Sequence, residues 1–313
     1  MKYIVMNPAE PNKILITGAD GYIGSNLVVH LAKEGYQPMA LLRKDTSFNF
    51  PPSIETRAGD LGNDRFLSEA VKDVDIIIHL AGHKGYEQCS SEIARTFHAN
   101  ISFTERLVNA VGKNKKKIIF ASTYWVYGHK APLPYHDDLP IMPSEPYGWS
   151  KALAERLIIS SGLNYIILRL TNVFGYGIGK RYNEVTSFFL KNAFNGKPVS
   201  LHNAGQHSID LISIDDVCKI ITKMIHQDNN NLILNLGSGD PVSILKLSEV
   251  VNTVSKKLTG NEAAINVGKK ESDEILFANR WVDSGRLKML TGFTPAPLIF
   301  SLEQFAKSLL SEQ

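Results

Sequence analysis

From Lys13 onward, short β-branched runs alternate with amphipathic stretches. Ile14-Leu15-Ile16-Thr17 is followed by an amphipathic segment from Gly24 to Lys33 and then by Met39-Ala40-Leu41-Leu42, which predicts strand, helix, strand. The series continues through Ile76-Ile77-Ile78-His79-Leu80, a long helical segment from about Ser91 to Val111, Ile118-Ile119-Phe120, a helix from about Tyr147, and Ile166-Ile167-Leu168. Strands without polar alternation, joined by helices, predict a parallel sheet covered on both faces. The expected class is α/β with a doubly wound parallel sheet.

After about Gly175 the rhythm changes. Connections rich in Gly, Asn and Pro, such as Asn195-Gly196-Lys197-Pro198 and Asn229-Asn230-Asn231, separate shorter helices. Asp215 or Asp216 is expected to open a helix to about His226, and Ser243 to cap one from Ile244 to Lys256. Residues 1–175 therefore read as the sheet domain, with strand and helix additions from about 206–238. Residues 176–313 form mainly a smaller C-terminal lobe.

Composition narrows the classes. At roughly 150 residues per domain, 313 residues suggest about two domains or one with an appended lobe. With 43% hydrophobic and 21% charged residues, disorder, collagen and coiled coil are poor readings. A net charge of +3 gives no ground for a nucleic-acid partner. The basic run Lys113 to Lys117 follows a helix, where cations favour the negative end of the dipole. Cys89 and Cys218 stand far apart without His at ligand spacing, so neither a disulfide framework nor a metal site is expected, and a reducing cytoplasm fits. The segment Met1 to Met6 is too short for a signal peptide, and no 18-residue apolar run predicts a membrane span.

Gly18-Ala19-Asp20-Gly21-Tyr22-Ile23-Gly24 lies between the first strand and first helix, where a dinucleotide pyrophosphate meets a helix N-terminus. At the end of the second strand, the acidic residue that would bind an NAD ribose is missing. Leu42 occupies its place and Arg43 follows, a cation able to hold a 2′-phosphate, so NADP is expected over NAD. A solvated loop charge is the plain alternative for Arg43. Tyr147 and Lys151, four apart on a helix, share a face. An ammonium and an oxidised nicotinamide beside that phenol would stabilise the phenolate and make it a usable base. A strand end 24 residues earlier offers Ser122 or Thr123 to hydrogen-bond a reacting oxygen.

Together these residues resemble the extended short-chain dehydrogenase/reductase superfamily, in particular its nucleotide-sugar epimerase/dehydratase branch, over nearly the whole chain. The resemblance implies a Rossmann-like sheet domain binding the dinucleotide, with a C-terminal substrate-binding lobe. It implies that Thr123 steadies the substrate oxygen, that Tyr147 is the acid/base, and that Lys151 binds the nicotinamide ribose and lowers the tyrosine pKa. Cofactor contacts are implied for Gly18, Gly21, Tyr22, Ile23 and Gly24, for Asp60-Leu61 beside the adenine, for Ala81, Gly82 and Lys84 after His79-Leu80, and for Asn100. Asn172, in the segment Arg169 to Gly175, approaches substrate by the same resemblance, and a homodimer is implied through the helices near Ser91 to Val111 and Tyr147 to Ser160.

Departures narrow the chemistry. Dehydratases of this family carry Asp-Glu directly after the threonine, and here Tyr124 and Trp125 stand there, so water elimination is not expected and both side chains are expected to wall the sugar pocket. Many sugar-nucleotide enzymes place Arg before an Asp for the diphosphate, whereas Ile209 precedes Asp210. Lys269, Lys270 or Arg280 could compensate, or be ordinary surface cations. The expected activity is hydride transfer to or from a secondary alcohol or ketone of a nucleotide-linked sugar, of ketoreductase type. The alternatives are an epimerase with tightly held NAD and, from another class, a non-catalytic dinucleotide sensor, which has no need of Thr123, Tyr147 and Lys151.

Overall fold

The computed structural model describes residues 13–112, 116–178, 184–228, 231–268 and 275–312. Its centre is a seven-stranded, wholly parallel sheet built from β1 (Ile14–Thr17), β2 (Pro38–Arg43), β3 (Glu55–Gly59), β4 (Ile76–His79), β5 (Lys117–Thr123), β6 (Asn164–Leu170) and, after β7 (Asn172–Phe174), β8 (Val199–Leu201) and β9 (Ser208–Ser213), β10 (Leu232–Leu236). The strand order is β10-β6-β5-β4-β1-β2-β3. On one face lie α1 (Tyr22–Lys33) and α8 (Ile214–Ile225), with Leu27, Leu31, Val217 and Ile221 in its core. On the other lie α2 (Asp64–Val71), α5 (Phe103–Val111) and α6 (Pro146–Ser160), contributing Leu67, Leu107 and Ile158. The apolar strand runs are thus buried on both sides, as a parallel sheet requires.

Three local differences from the sequence reading have physical causes. β3, Glu-Thr-Arg-Ala-Gly, is an edge strand and mostly exposed, so it carries no apolar run to reveal it. The expected helix from Ser91 to Val111 is broken: α3 (Tyr86–Ser91) and α4 (Ile93–Phe97) are separated at Glu92 (φ −119°, ψ 51°), and a π turn, His98–Ser102, precedes α5. α8 is capped by Ser213, whose hydroxyl accepts from Asp216 N at 3.1 Å, rather than by either aspartate. Ser243 caps α9 (Ile244–Thr259) as expected.

The remaining elements are α7 (Glu184–Phe194), β11 (Pro241–Ser243), β12 (Ile265–Val267), α10 (Gly285–Thr291) and α11 (Leu298–Leu310). β11, β9 and β7 form a small sheet, and α7, α9 and α11 share an apolar core with it. Lys113 to Lys115, Lys269 and Lys270 lie outside the described residues. The rest of that basic run caps helices: Lys116 Nζ donates to the carbonyls of Val71, Lys72 and Val74 at the end of α2, and Lys117 Nζ to those of Ile225 and Gln227 after α8.

A one-way hydrogen-bond chain ties the sheet to α5. Ala81 N donates to Thr17 Oγ1 (3.2 Å), and Thr104 Oγ1 donates to Asn100 O (2.6 Å). Between them His79 accepts from Thr17 at Nδ1 (2.8 Å) and donates to Thr104 from Nε2 (2.9 Å) as the neutral ring. Burial, with the Lys151 charge adding, pushes this imidazole from 6.5 down to about 3. The unfolded chain takes up a proton near pH 6.5 that the folded chain refuses until about 3, so the stability contributed is complete above 6.5 and is lost as pH falls through that window. We expect stability to drop there by up to about 1.4 kcal/mol per pH unit beyond the slope of a His79→Gln variant, measured by urea unfolding at a series of pH values. Parallel slopes in the two proteins would contradict this.

Candidate active site

The carboxyl ends of the strands open on one side of the sheet, and the chain reverses its strand order between β1 and β4, where open α/β sheets hold ligands. The glycine turn fills this position. Gly18 has φ +66°, and a Cβ there would lie 2.7 Å from Ala81 N, so the turn packs backbone against the loop after β4. A Cβ on Gly24 would lie 2.1 Å from Gly18 O. α1 begins after Gly21 without a side-chain cap, leaving its first amides available to an anion. This cradle of backbone, closed to any Cβ, fits a dinucleotide pyrophosphate.

Thr123 ends β5 and is buried at 4% exposure. Facing it, α6 starts at Pro146 and is capped by Glu145, whose carboxylate accepts from Tyr147 N (2.7 Å) and Gly148 N (2.5 Å). The cap fixes the first turn, and that turn carries Tyr147. The phenol is hydrogen-bonded to Thr123, yet burial outweighs this bond and pushes its pKa up. One turn on, Lys151 is buried, donates to Ala121 O at 2.8 Å and stands 4.7 Å from the centre of the Phe120 ring. Desolvation drives its ammonium down to about 8, with Glu155 opposing. Thr123, Tyr147 and Lys151 thus converge as the sequence suggests. Ser122, the other hydroxyl considered, donates to Glu155 at 2.5 Å and belongs to the core.

The remaining expected residues divide into those at the crevice and those beneath it. A Cβ on Gly82 would lie 2.7 Å from Asn100 Oδ1 and 3.4 Å from Lys151 Nζ, so these three meet. Asn100 is buried on the π turn and acts as a clip: Oδ1 accepts from His83 N, and Nδ2 donates to His83 O and Ser150 Oγ. The Tyr22 ring is buried and its hydroxyl donates to Gly175 O at 3.0 Å, leaving only its backbone to the turn, while Ile23 beside it is half-buried. Lys84 is exposed, 5.7 Å from the Tyr22 ring centre. Asp60 is exposed after β3 and accepts from Gly62 N at 2.8 Å, and Leu61 is half-buried against the core. Arg43 is not an isolated loop charge: its Nη2 lies 3.8 Å from Asp20 Oδ2.

One expectation is corrected, and one of the two readings of Arg280 falls away. Tyr124 does not wall a pocket, because its ring is 3% exposed and its hydroxyl accepts from Asn172 Nδ2 at 2.8 Å, packing it under the site with Tyr135. Only Trp125 is half-exposed there, with the Tyr86 ring 5.7 Å away and the Arg280 guanidinium 4.1 Å away. Arg280 is no surface cation. It is buried, and its backbone bridges Ile209, the position that lacks the expected arginine.

Sequence reasoning missed Glu145, Tyr86 and the partners of Arg43 and Lys151. The Glu145-Pro146 pair was a readable signal, since Pro favours the first turn of a helix. Tyr86 gave none, because it lies on a short helix, α3, between the apolar run ending at Leu80 and the helix expected from about Ser91.

Comparison with known proteins shows the family and the fold. The sequence model described as the NAD dependent epimerase/dehydratase family matches residues 14–237. The uncharacterized UDP-glucose epimerase YtcB of Bacillus subtilis is 29% identical over 305 residues, covering 91% of this chain and 93% of that protein. The UDP-glucuronic acid 4-epimerase of Bacillus cereus, solved with NAD, is 25% identical with a TM-score of 0.79, covering 95% of this chain and 99% of that one. The UDP-N-acetylglucosamine 4-epimerase of Methanobrevibacter ruminantium M1 has a TM-score of 0.85 at 24% identity, covering 97% and 100%, and shares the fold. Among the described residues, no helix is long and apolar enough to cross a membrane.

The tightness of the turn yields a stability test. Gly24→Ala forces a methyl into backbone that cannot recede, and we expect a loss of about 1–3 kcal/mol in thermal or urea unfolding. A variant as stable as the parent would show that the turn is looser than described.

Proposed function

This chain belongs to the NAD dependent epimerase/dehydratase family, and on that premise we propose that it moves a hydride at a secondary carbon of a nucleotide-linked sugar, returning it to the opposite face as an epimerase. The observation that carries this reading is Tyr147, hydrogen-bonded to Thr123 and followed one helical turn later by the buried Lys151. When bound, the dinucleotide supplies a hydride acceptor and donor at its nicotinamide ring.

Thr123 orients the reacting sugar oxygen through its hydroxyl. Tyr147 takes the proton from the sugar hydroxyl as the carbon is oxidised and gives it back on reduction. Lys151 stabilises the phenolate by its charge and holds the nicotinamide ribose. The backbone of Gly18, Gly21 and Gly24 receives the pyrophosphate, and the residues after about 176 supply the sugar-binding lobe, with Asn172 and Trp125 at its edge. Tyr124 and Trp125 contribute no carboxyl group, so no elimination of water is expected.

A net ketoreductase shares this half-reaction and differs only in exchanging its dinucleotide. The names of the relatives favour the epimerase. The NADP preference suggested by Arg43 would require that guanidinium to face a 2′-phosphate alone, whereas it leans on Asp20, so we take NAD as the dinucleotide. Ile93 on α4 and Trp149 and Leu153 on α6 are exposed apolar side chains, which supports a homodimer through the faces of α4 and α6. Two buried, unbridged cysteines suit a reducing cytoplasm.

The test is conversion of UDP-glucose and UDP-N-acetylglucosamine, followed by proton NMR, with and without added NAD or NADPH. Turnover to the C4 epimer without stoichiometric NADPH consumption is expected. Consumption of NADPH with a ketosugar nucleotide would favour the reductase. Tyr147→Phe should cost at least about a hundredfold in rate with an unchanged melting temperature, and near-parental activity would remove the assignment. Since the Lys151 ammonium is lost above about pH 8 in the free protein, NAD affinity should weaken as pH rises through that value. Lys151→Met should bind weakly and without this pH dependence, and a parental profile would remove Lys151 from the ribose.

A further inference from the structure

We propose that Asp20, inside the glycine turn, is the acceptor for the 2′-hydroxyl of the adenosine ribose and makes this an NAD site, with Arg43 as its counter-ion instead of an anchor for a 2′-phosphate. The inference rests on the dinucleotide reading above and deepens it. Three observations place the group. β1 and β2 are neighbours in register, Thr17 opposite Leu41, so the turn after β1 and the end of β2 open side by side. Leu42, where a ribose-binding carboxylate would stand, is packed in the sheet core and offers a ribose hydroxyl no acceptor. The carboxylate at this place is instead that of Asp20, which accepts from Thr46 Oγ1 at 3.0 Å and has Arg43 Nη2 at 3.8 Å.

The exposures of the two side chains separate their roles. Arg43 is 59% exposed and Asp20 11%. The carboxylate is therefore the fixed group, held from the β2–β3 loop by Thr46, and the guanidinium lies over it from solvent. A ribose hydroxyl is a donor and suits such an acceptor. A 2′-phosphate brings close to two negative charges to the same carboxylate, and the arginine that could attract it already faces that carboxylate. Position along the chain explains why the acceptor is hidden from a motif search: a dinucleotide site is usually scanned for an acid about 20 residues beyond the glycines, and here the acid stands among them.

The experiment uses the full chain stripped of nucleotide, with NAD and NADP titrated separately by calorimetry into the parent, Asp20→Asn, Asp20→Glu and Arg43→Ala. The parent should prefer NAD by roughly ten- to a hundredfold, the range of a charge-assisted hydrogen bond. Asp20→Asn should lose NAD affinity and gain NADP affinity, moving the ratio at least tenfold. Asp20→Glu, which keeps the charge, should still reject NADP, and Arg43→Ala should leave NAD preferred. Melting temperatures confirm that each variant is folded, and Asp20→Glu carries the test if Asp20→Asn does not fold. Equal or tighter NADP binding by the parent, an unmoved ratio in Asp20→Asn, or acceptance of NADP by Asp20→Glu would overturn the role of Asp20 while leaving the dinucleotide reading intact. Binding of neither dinucleotide by the parent would overturn both.

Discussion

Glu155 and Arg169 meet in the core as an ion pair at 2.8 Å, their side chains 1% and 5% exposed, and the active site is referenced to it. The pairing is two-pronged, with Arg169 Nε and Nη2 on the two carboxylate oxygens. Ser122 donates to Glu155, and Arg169 Nη1 reaches Tyr127 Oη and Asp137 O. One cluster therefore joins β5, α6, β6 and the segment after β5. Thr123 follows Ser122 directly, and Tyr147 and Lys151 lie two turns and one turn before Glu155, so the separation of hydroxyl, phenol and ammonium is set by a pair with little freedom to shift. Removing one partner of such a pair typically costs about 3–5 kcal/mol, because the other charge is left buried alone.

A second constraint fixes the two parts of the chain to each other. Tyr22, in the first turn of α1, bonds to Gly175 at the end of β7. Asp210 on β9 accepts from Ser238 and Gly239 after β10, and its backbone carbonyl accepts from Asn172. The glycine turn, the strands of the small sheet and the loop after β10 are thereby held in one frame. Beside Ile209, where the sequence lacks an arginine, the backbone of Arg280 forms a bridge, and its buried guanidinium lies against Trp125.

What could be read from the sequence follows the physics of each element. The β1, β4, β5 and β6 runs and the Ser243 cap were legible because apolar periodicity and capping chemistry are local. The convergence of Thr123, Tyr147 and Lys151 was legible because two of them share a helix face and the third ends a strand. β3 was not, since an edge strand need not be apolar, and neither was the π turn that positions Asn100, since one extra residue per turn leaves no mark in composition. The Arg43–Asp20 contact and the burial of Tyr124 and Arg280 depend on which loops become neighbours, so the resemblance alone put Tyr124 on a pocket wall and left Arg280 undecided.

The electrostatics of the site bear on the order in which it assembles. In the free protein burial acts against both Tyr147 and Lys151: the phenol is held protonated, and the ammonium is weakened to about 8. His79, beneath Lys151, is kept neutral by its burial and by the Lys151 charge, and adds no charge. Glu155, the acid that most supports Lys151, is itself shared with Arg169. The residues of the chain alone therefore do not make a phenolate at neutral pH. In the proposed reaction a further positive charge would be supplied by the dinucleotide, whose oxidised nicotinamide would lie beside Lys151. On that proposal, substrate bound to the empty protein would meet a protonated phenol, and activation of Tyr147 would follow occupation of the dinucleotide cradle. A permanently retained dinucleotide is the arrangement in which such a site is always ready.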